Sequence, residues 1–78
     1  METITYVKAL DDYKIEVIFN DGIRAKIDIR PFIKPQGISQ SLNDKAFFKT
    51  VKLDEAGGIV WRNGFDFCPV FLRQIANK

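Results

Sequence analysis

The chain has 78 residues, 46% of them hydrophobic and 28% charged, and its 12 basic and 10 acidic side chains leave a net charge of +2. This length predicts a single domain over residues 1–78, with one compact core and little room for a deep cleft. The composition excludes a disordered chain, and the small charge excess does not require a polyanionic partner.

The sequence also bounds the compartment. No stretch approaches the roughly 18 apolar residues of a membrane-spanning helix, and the N-terminus lacks the basic start and apolar core of a signal peptide. A single cysteine, Cys68, cannot form an internal disulfide, which fits a reducing environment. We therefore expect a small cytoplasmic protein.

Segments 4–10, 13–20 and 23–29 are rich in β-branched and aromatic residues and predict three strands. Side-chain pairing decides the length of the loop between the second and the third. A two-residue turn at Asp21-Gly22 would set a charged residue opposite an apolar one at each inner position. A three-residue loop over 20–22, with Gly22 left-handed, pairs only apolar residues there. We predict the three-residue loop.

The same register fixes the outer face of this sheet. Opposite charges that face each other across two strands are typical of a solvated face. The cross-strand pairs predicted there are Lys14 with Asp28, Glu16 with Lys26, and Ile18 with Arg24.

The second half of the chain predicts two short helices around a hairpin. Asp44 suits the N-cap of a helix from Lys45 to about Lys49 or Thr50, and Pro69 suits the first turn of a closing helix over 69–77. Strands at 50–54 and 58–62 lie between them, followed by a turn at 63–64. The order β-β-β-α-β-β-α predicts an α+β fold with a mostly antiparallel meander sheet, of five strands, and short helices.

Several motifs occur along the chain, each of them once. They are a leucine-turn-tyrosine opening, a meander that ends near Asp and Pro, a Leu-x-Asp helix start, and a final signature made of Trp61, Asn63, Gly64, Asp66 and Pro69. In these features the chain resembles the bacterial domain-of-unknown-function family 2442, over nearly its whole length. The further matching positions are Leu10, Tyr13, Phe19, Gly22, Asp28, Pro31, Leu42, Asp44, Phe48, Asp54 and Gly58.

The resemblance implies a small standalone bacterial protein, with relatives that are sometimes fused to a helix-turn-helix. It also implies a gene that is often adjacent to that of another small protein, in an arrangement like a toxin–antitoxin pair. It supplies no catalytic, cofactor-binding or metal-binding residue.

The residue types weigh against an enzyme. The chain has no histidine, the most common general base and metal ligand. Cys68 has no obvious neighbouring base, and Asp54 and Asp66 each sit by a turn, where aspartate ordinarily bonds backbone amides. We predict no catalytic residue, no cofactor and no metal, with an enzyme that uses Cys68 or Asp66 as a minor alternative.

Two kinds of binding surface remain. A nucleic-acid surface would use Lys45, Lys49 and Lys52, although a real footprint usually has a larger basic excess than +2. The simpler interpretation of these lysines is a solvated face. Further cations that could adjoin them are Arg62, Arg73 and Lys78.

A protein-interaction or regulatory module is the function that the sequence favours. Ile18 and Arg24 on the outer face, with Phe32 and Ile33 after the third strand, form the candidate partner surface. The alternative for Phe32 and Ile33 is that they plug the end of the core. The expected partner is another small bacterial protein encoded nearby, and a homodimer through a sheet edge would use the same surface.

Residues 57–72 contain the only tryptophan and the only cysteine of the chain. We interpret this segment as a structural corner rather than a site. Trp61 and Cys68 are then expected to be buried, and Asp66 to bond nearby backbone.

Overall fold

Two antiparallel sheets and two α-helices make up the fold. The structure is a computed structural model that describes residues 1–76, so the last predicted residue of the closing helix, 77, and Lys78 lie outside it. The elements are β1 (Ile4–Ala9), β2 (Lys14–Phe19), β3 (Arg24–Asp28), α1 (Lys45–Phe48), β4 (Lys52–Leu53), β5 (Ile59–Val60), β6 (Asp66–Phe67) and α2 (Pro69–Ala76), with short 3-10 turns over Asp11–Tyr13, Arg30–Phe32 and Ile38–Asn43.

The first sheet has the strand order β1-β2-β3, and its β2-β3 hairpin has the predicted register. The Phe19 N–H donates to the Ile23 carbonyl at 2.8 Å, and the Gly22 N–H donates back to the Phe19 carbonyl at 2.9 Å. Gly22 has a φ of 88°, a left-handed conformation that costs glycine little because it lacks a Cβ. The three-residue loop is confirmed.

The second sheet, β4-β5-β6, corrects one detail of the prediction. The α+β class and the antiparallel meander are confirmed, but the strands form two sheets of three rather than one of five. The loop after Trp61 closes in the same way as the loop over 20–22, with the Trp61 N–H donating to the Phe65 carbonyl at 2.8 Å. The chain therefore folds back, and Phe67 pairs with Ile59 in a sixth strand.

A short contact joins the two sheets. The Ile4 N–H of β1 donates to the Gly57 carbonyl in the β4-β5 loop at 2.7 Å. The inner faces of both sheets and one side of α2 then share one core, in which each fully buried large apolar side chain contributes about 1.5–3 kcal/mol. The buried apolar residues are Ile4, Ile15, Val17, Phe19, Ile27, Ile29, Leu42, Phe48, Ile59, Trp61, Phe67 and Leu72.

Trp61 is the centre of an aromatic cluster in this core. It is 1% exposed, which confirms its predicted burial. Its ring centroid lies 5.8 Å from those of Phe48 and Phe65 and 5.9 Å from that of Phe67. The indole Nε1 donates to the Phe48 carbonyl at 2.9 Å, so the one polar atom of the side chain is satisfied.

Arg73 fastens α2 to the first sheet. Its Nε donates to a Glu2 carboxylate oxygen at 2.6 Å and its Nη2 to Asp21 at 2.9 Å. The guanidinium carbon lies 4.0 Å from the centroid of the Phe19 ring, a cation–π contact on the inner face of the sheet. Arg73 is therefore engaged within the chain rather than free for a polyanion.

The ion pair between Arg73 and Asp21 predicts a pH dependence of stability. The hydrogen bond from Arg73, and next the one from the Ile23 backbone, hold the pKa of Asp21 below its ordinary value of 3.8. A carboxylate with a depressed folded-state pKa stabilises the fold above its unfolded pKa, and this contribution disappears as pH falls through the folded value. Relative to Asp21→Asn, the wild type should therefore have the higher free energy of unfolding at neutral pH, and a shrinking advantage below about pH 4.

Urea denaturation at a series of pH values measures this difference. Asp11→Asn is the matched control, because Asp11 is exposed and forms no ion pair within the part of the chain that the structure describes. An Asp21→Asn difference that stays constant down to about pH 3 would contradict the assignment.

Candidate interaction surface

The first sheet turns one face to solvent. Side chains alternate along a strand, so the residues between the buried ones point the other way. Leu72 is buried and Arg73 lies over Phe19, which places α2 on the inner side. The set that points away from the core, called here the outer face, consists of Tyr6, Lys8, Lys14, Glu16, Ile18, Arg24, Lys26 and Asp28.

An apolar row crosses the outer face. Tyr6 pairs with Ile18 across β1 and β2, and Ile18 pairs with Arg24 across β2 and β3. Tyr6 is 38% exposed and Ile18 is half-buried. The predicted Ile18–Arg24 pair is confirmed. The structure adds Tyr6, a residue that sequence reasoning missed because the turn between β1 and β2 contains no glycine to indicate the register of these strands.

Basic side chains surround this row. Glu16 lies opposite Lys26 and Asp28 opposite Lys14, as predicted, but the ion pair that forms is between Glu16 and Arg24 at 3.2 Å. Asp28 instead accepts the Arg30 N–H at 3.0 Å. Within residues 1–76, Lys26 and Asp28 have no ion-pair partner. Four cations against two carboxylates give the outer face a charge of +2, equal to that of the whole chain.

Phe32 and Ile33 lie elsewhere. The Phe32 ring is 5.4 Å from that of Phe67 and 5.6 Å from that of Phe71, and Ile33 also packs against the core. The structure therefore does not join these two residues to Ile18 on the outer face. Their packing matches the alternative interpretation, in which they close the end of the core.

The lysines of α1 border a small cleft. Lys45 and Lys49 line it together with Asp11, Asp12 and Tyr13, and its volume is about 190 Å³. The two carboxylates and the two lysines thus line one cleft, although the Asp12 carboxylate forms its ion pair with Arg30, at 3.2 Å. Lys52 is exposed on β4, outside the cleft lining.

The turn that supplies the carboxylates has an unusual backbone. Asp12 and Tyr13 have φ values of 64° and 60°, a region that non-glycine residues rarely adopt. The Leu10 N–H donates to the Lys14 carbonyl at 2.7 Å, so Tyr13 takes the place that glycine has in the other hairpin loops. Its hydroxyl donates to the Asn43 carbonyl at 2.6 Å, which helps to hold the conformation.

The Trp-to-Pro segment contains two wrong predictions. Cys68 is exposed, not buried, because it follows the inward-facing Phe67 and precedes the first residue of α2. Its Sγ accepts the Phe71 N–H at 3.4 Å, so the side chain caps the helix. Asp66 is exposed as well and makes no side-chain hydrogen bond within residues 1–76.

Asn63 has the role predicted for Asp66. Its Oδ1 accepts the Phe65 N–H at 3.1 Å, and its Nδ2 donates to the Ile38 carbonyl at 2.7 Å. Asp66 alternates with the buried Phe67 along β6, so its side chain points to solvent and cannot reach the turn.

Asp54, the other carboxylate considered as a catalytic candidate, also has a structural role. Asp54 accepts the Ala56 N–H at 3.4 Å in the β4-β5 loop, as expected for an aspartate in a turn. It lies on the β4 side of β5 and Asp66 on the β6 side, so the central strand separates the two carboxylates. No group of three or more His, Cys, Asp or Glu side chains in residues 1–76 is placed to hold a metal ion.

The fold and these surfaces define a small α+β domain built on two three-stranded antiparallel sheets, with one sheet face open. The family model described as "Protein of unknown function (DUF2442)" matches residues 4–77, and the chain belongs to this family. The searches of the curated proteins and of the solved structures each found no match. In the part of the chain that the structure describes, no helix is both long and apolar enough to pass through a bilayer.

Proposed function

We propose that this chain is a non-catalytic module that binds a protein partner through the outer face of its first sheet. It acts as a regulatory subunit, such as the antitoxin-like member of a gene pair. The observation that carries the proposal is the row of exposed Tyr6 and half-buried Ile18, flanked by the cations of a face that no helix covers within residues 1–76. An apolar centre with a charged rim is the usual anatomy of a protein interface.

The charge of the outer face specifies the chemistry of the partner. Its excess of +2 favours a complementary acidic surface, and the half-buried Ile18 beside Tyr6 favours an apolar residue at the centre of that surface. The contacts of Cys68 and Asp54, each bound to backbone amides, support structural rather than catalytic roles for these two residues.

Affinity capture in the organism of origin tests this proposal. The wild type is compared with the double variant Tyr6→Ala/Lys8→Glu, which alters β1 of the outer face and leaves β3 untouched. The matched control is Val70→Ala/Lys49→Glu, which also truncates one exposed apolar side chain and reverses one lysine, in the helical part of the chain. Circular dichroism verifies that all three proteins are folded.

We expect one specific protein to be captured by the wild type and by the helix control. The amount of this protein captured by the outer-face variant should be at least about tenfold lower, because central interface contacts dominate binding energy. Equal capture by the outer-face variant, or loss on the helix control alone, would contradict the proposal.

Nucleic-acid binding through Lys45, Lys49 and Lys52 is the competing function. The cleft brings Asp11 and Asp12 next to two of these lysines, which lowers the local positive potential. Salt-sensitive binding of random DNA or RNA that is lost in Lys49→Glu and kept in the outer-face variant would favour this alternative over the proposal.

A further inference from the structure

The outer edge of β3 exposes unpaired backbone groups. In the β2-β3 ladder the Phe19 N–H bonds to the Ile23 carbonyl and the Ile29 N–H bonds to the Tyr13 carbonyl. Hydrogen-bonded pairs alternate along an antiparallel ladder, so odd-numbered residues of β3 face β2. The N–H and C=O groups of Arg24, Lys26 and Asp28 therefore point away from the sheet, and within residues 1–76 no backbone group pairs with them there.

In the part of the chain that the structure describes, this edge is open to a strand from outside. A cleft of about 310 Å³ lies beside it, and its lining includes Lys26, Ile27, Asp28, Phe32 and Ile75. The end of α2 thus leaves room next to β3. An exposed strand edge of this kind is a template for pairing with another strand.

The sequence of the edge is complementary to itself. When two copies of β3 meet antiparallel with Ile27 opposite Ile27, Lys26 of each chain lies opposite Asp28 of the other. These two residues are outer-face charges that lack an ion-pair partner in residues 1–76. Opposite charges directly across an antiparallel pair stabilise it, and like charges destabilise it.

Other registers are less favourable. Centring the pair on Lys26 would place the two Lys26 ammonium groups opposite each other. It would also need Arg24 to leave Glu16, with which it forms an ion pair at 3.2 Å. In the register centred on Ile27, Arg24 faces Arg30 of the other copy, but each already has a carboxylate partner, Glu16 and Asp12.

We propose that β3 is a self-association edge, through which two copies of this chain join their first sheets into one continuous six-stranded sheet. The pair is isologous, with two reciprocal Lys26–Asp28 ion pairs and backbone hydrogen bonds between the same residues. The Tyr6–Ile18 row of the outer face is not part of the edge, and the two surfaces share only the charged residues Lys26 and Asp28.

Sedimentation velocity over a range of concentrations tests the dimer. The wild type should show a concentration-dependent dimer that salt weakens. Lys26→Glu and Asp28→Lys should each weaken dimerisation by about tenfold or more, since each sets like charges opposite each other. Lys8→Glu, the same substitution on β1, two strands away from the edge, should leave dimerisation within about threefold of the wild type.

The double variant Lys26→Glu/Asp28→Lys decides the register. It restores opposite charges only when Lys26 lies opposite Asp28, so it should recover most of the wild-type affinity. Amide hydrogen exchange gives a readout without substitution, because the Lys26 and Asp28 amides should gain protection as the protein is concentrated. A monomer up to about 1 mM, or a dimer that the double variant fails to restore, would overturn the proposal.

Discussion

Gly58→Ala is expected to destabilise the fold by about 3 kcal/mol, the upper part of the usual range for overpacking in a core. A Cβ at this buried position would overlap the Phe67 carbonyl oxygen and lie 3.2 Å from the Cys68 Cα. Both atoms belong to backbone that pairs β6 with β5 and starts α2, so they cannot move away as a flexible side chain could. Urea denaturation followed by circular dichroism measures the loss.

Gly64→Ala is the matched control for this experiment. Gly64 has a φ of 92°, and a Cβ there would meet no atom within 4 Å. Its substitution therefore costs only the backbone preference, about 1–2 kcal/mol. If Gly58→Ala costs no more than Gly64→Ala, the close approach of β5 to β6 at Gly58 does not constrain the fold as described.

Trp61→Ala is expected to cost about 3–5 kcal/mol, the range for truncation of a large buried aromatic side chain. At roughly 0.05–0.15 kcal/mol per residue, a chain of 78 residues has about 4–12 kcal/mol of total stability, so this variant should lose a large part of it. The substitution removes the centre of the aromatic cluster and leaves the Phe48 carbonyl without the indole donor. Thermal and urea unfolding of the purified variant check the value.

Trp61→Phe separates the two contributions. It keeps an aromatic ring in the cluster but removes the Nε1 donor, and an unsatisfied buried carbonyl costs about 1–3 kcal/mol. Val70→Ala is the control, since Val70 is 54% exposed and surface substitutions of this kind usually change stability by less than about 0.5 kcal/mol. A loss below about 1 kcal/mol in Trp61→Ala would contradict a central role for this side chain.

The parts of the fold that the sequence predicts correctly are those that local pairing decides. The loop over 20–22 follows because only one loop length sets Ile15 opposite Ile27 and Val17 opposite Ala25. The start of α1 follows from Asp44, whose side chain accepts the Ala46 N–H at 2.9 Å. In the α1 start, the interacting groups are only two residues apart in the sequence. In the hairpin, one strand register determines every cross-strand pair.

The wrong predictions concern positions where more than one residue could make the same side-chain hydrogen bond. Asn63 and Asp66 are both suitable partners for the backbone of the turn, and the alternation along β6 excludes Asp66. The sequence does not reveal that alternation, because β6 is only two residues long and too short for a periodic signal. The wrong prediction for Cys68, which directly follows β6, has the same cause.

The surfaces depend on tertiary arrangement and are only partly predictable. The hairpin register pairs Ile18 with Arg24 correctly. The cleft beside Tyr13 unites a turn near the N-terminus with α1, and no local pattern connects those segments. The left-handed conformation of Tyr13 has no sequence signal either, since tyrosine seldom replaces glycine at such a position.

The two proposed surfaces are compatible with each other. The proposed β3 edge would add a second copy in the plane of the first sheet, whereas the proposed partner would bind on top of it. Pairing through β3 would therefore continue the outer face across the two-fold axis. A dimer would then present two Tyr6–Ile18 rows on one side.

NMR cross-saturation from the captured partner to the amides of this chain tests the proposal that the outer face binds a protein. Signal loss is expected to be concentrated at Tyr6, Lys8, Glu16 and Ile18, with Val70 on α2 unaffected. Signal loss concentrated instead around Lys45 and Lys49 beside the cleft, or along α2, with Tyr6 and Ile18 unaffected, would contradict it.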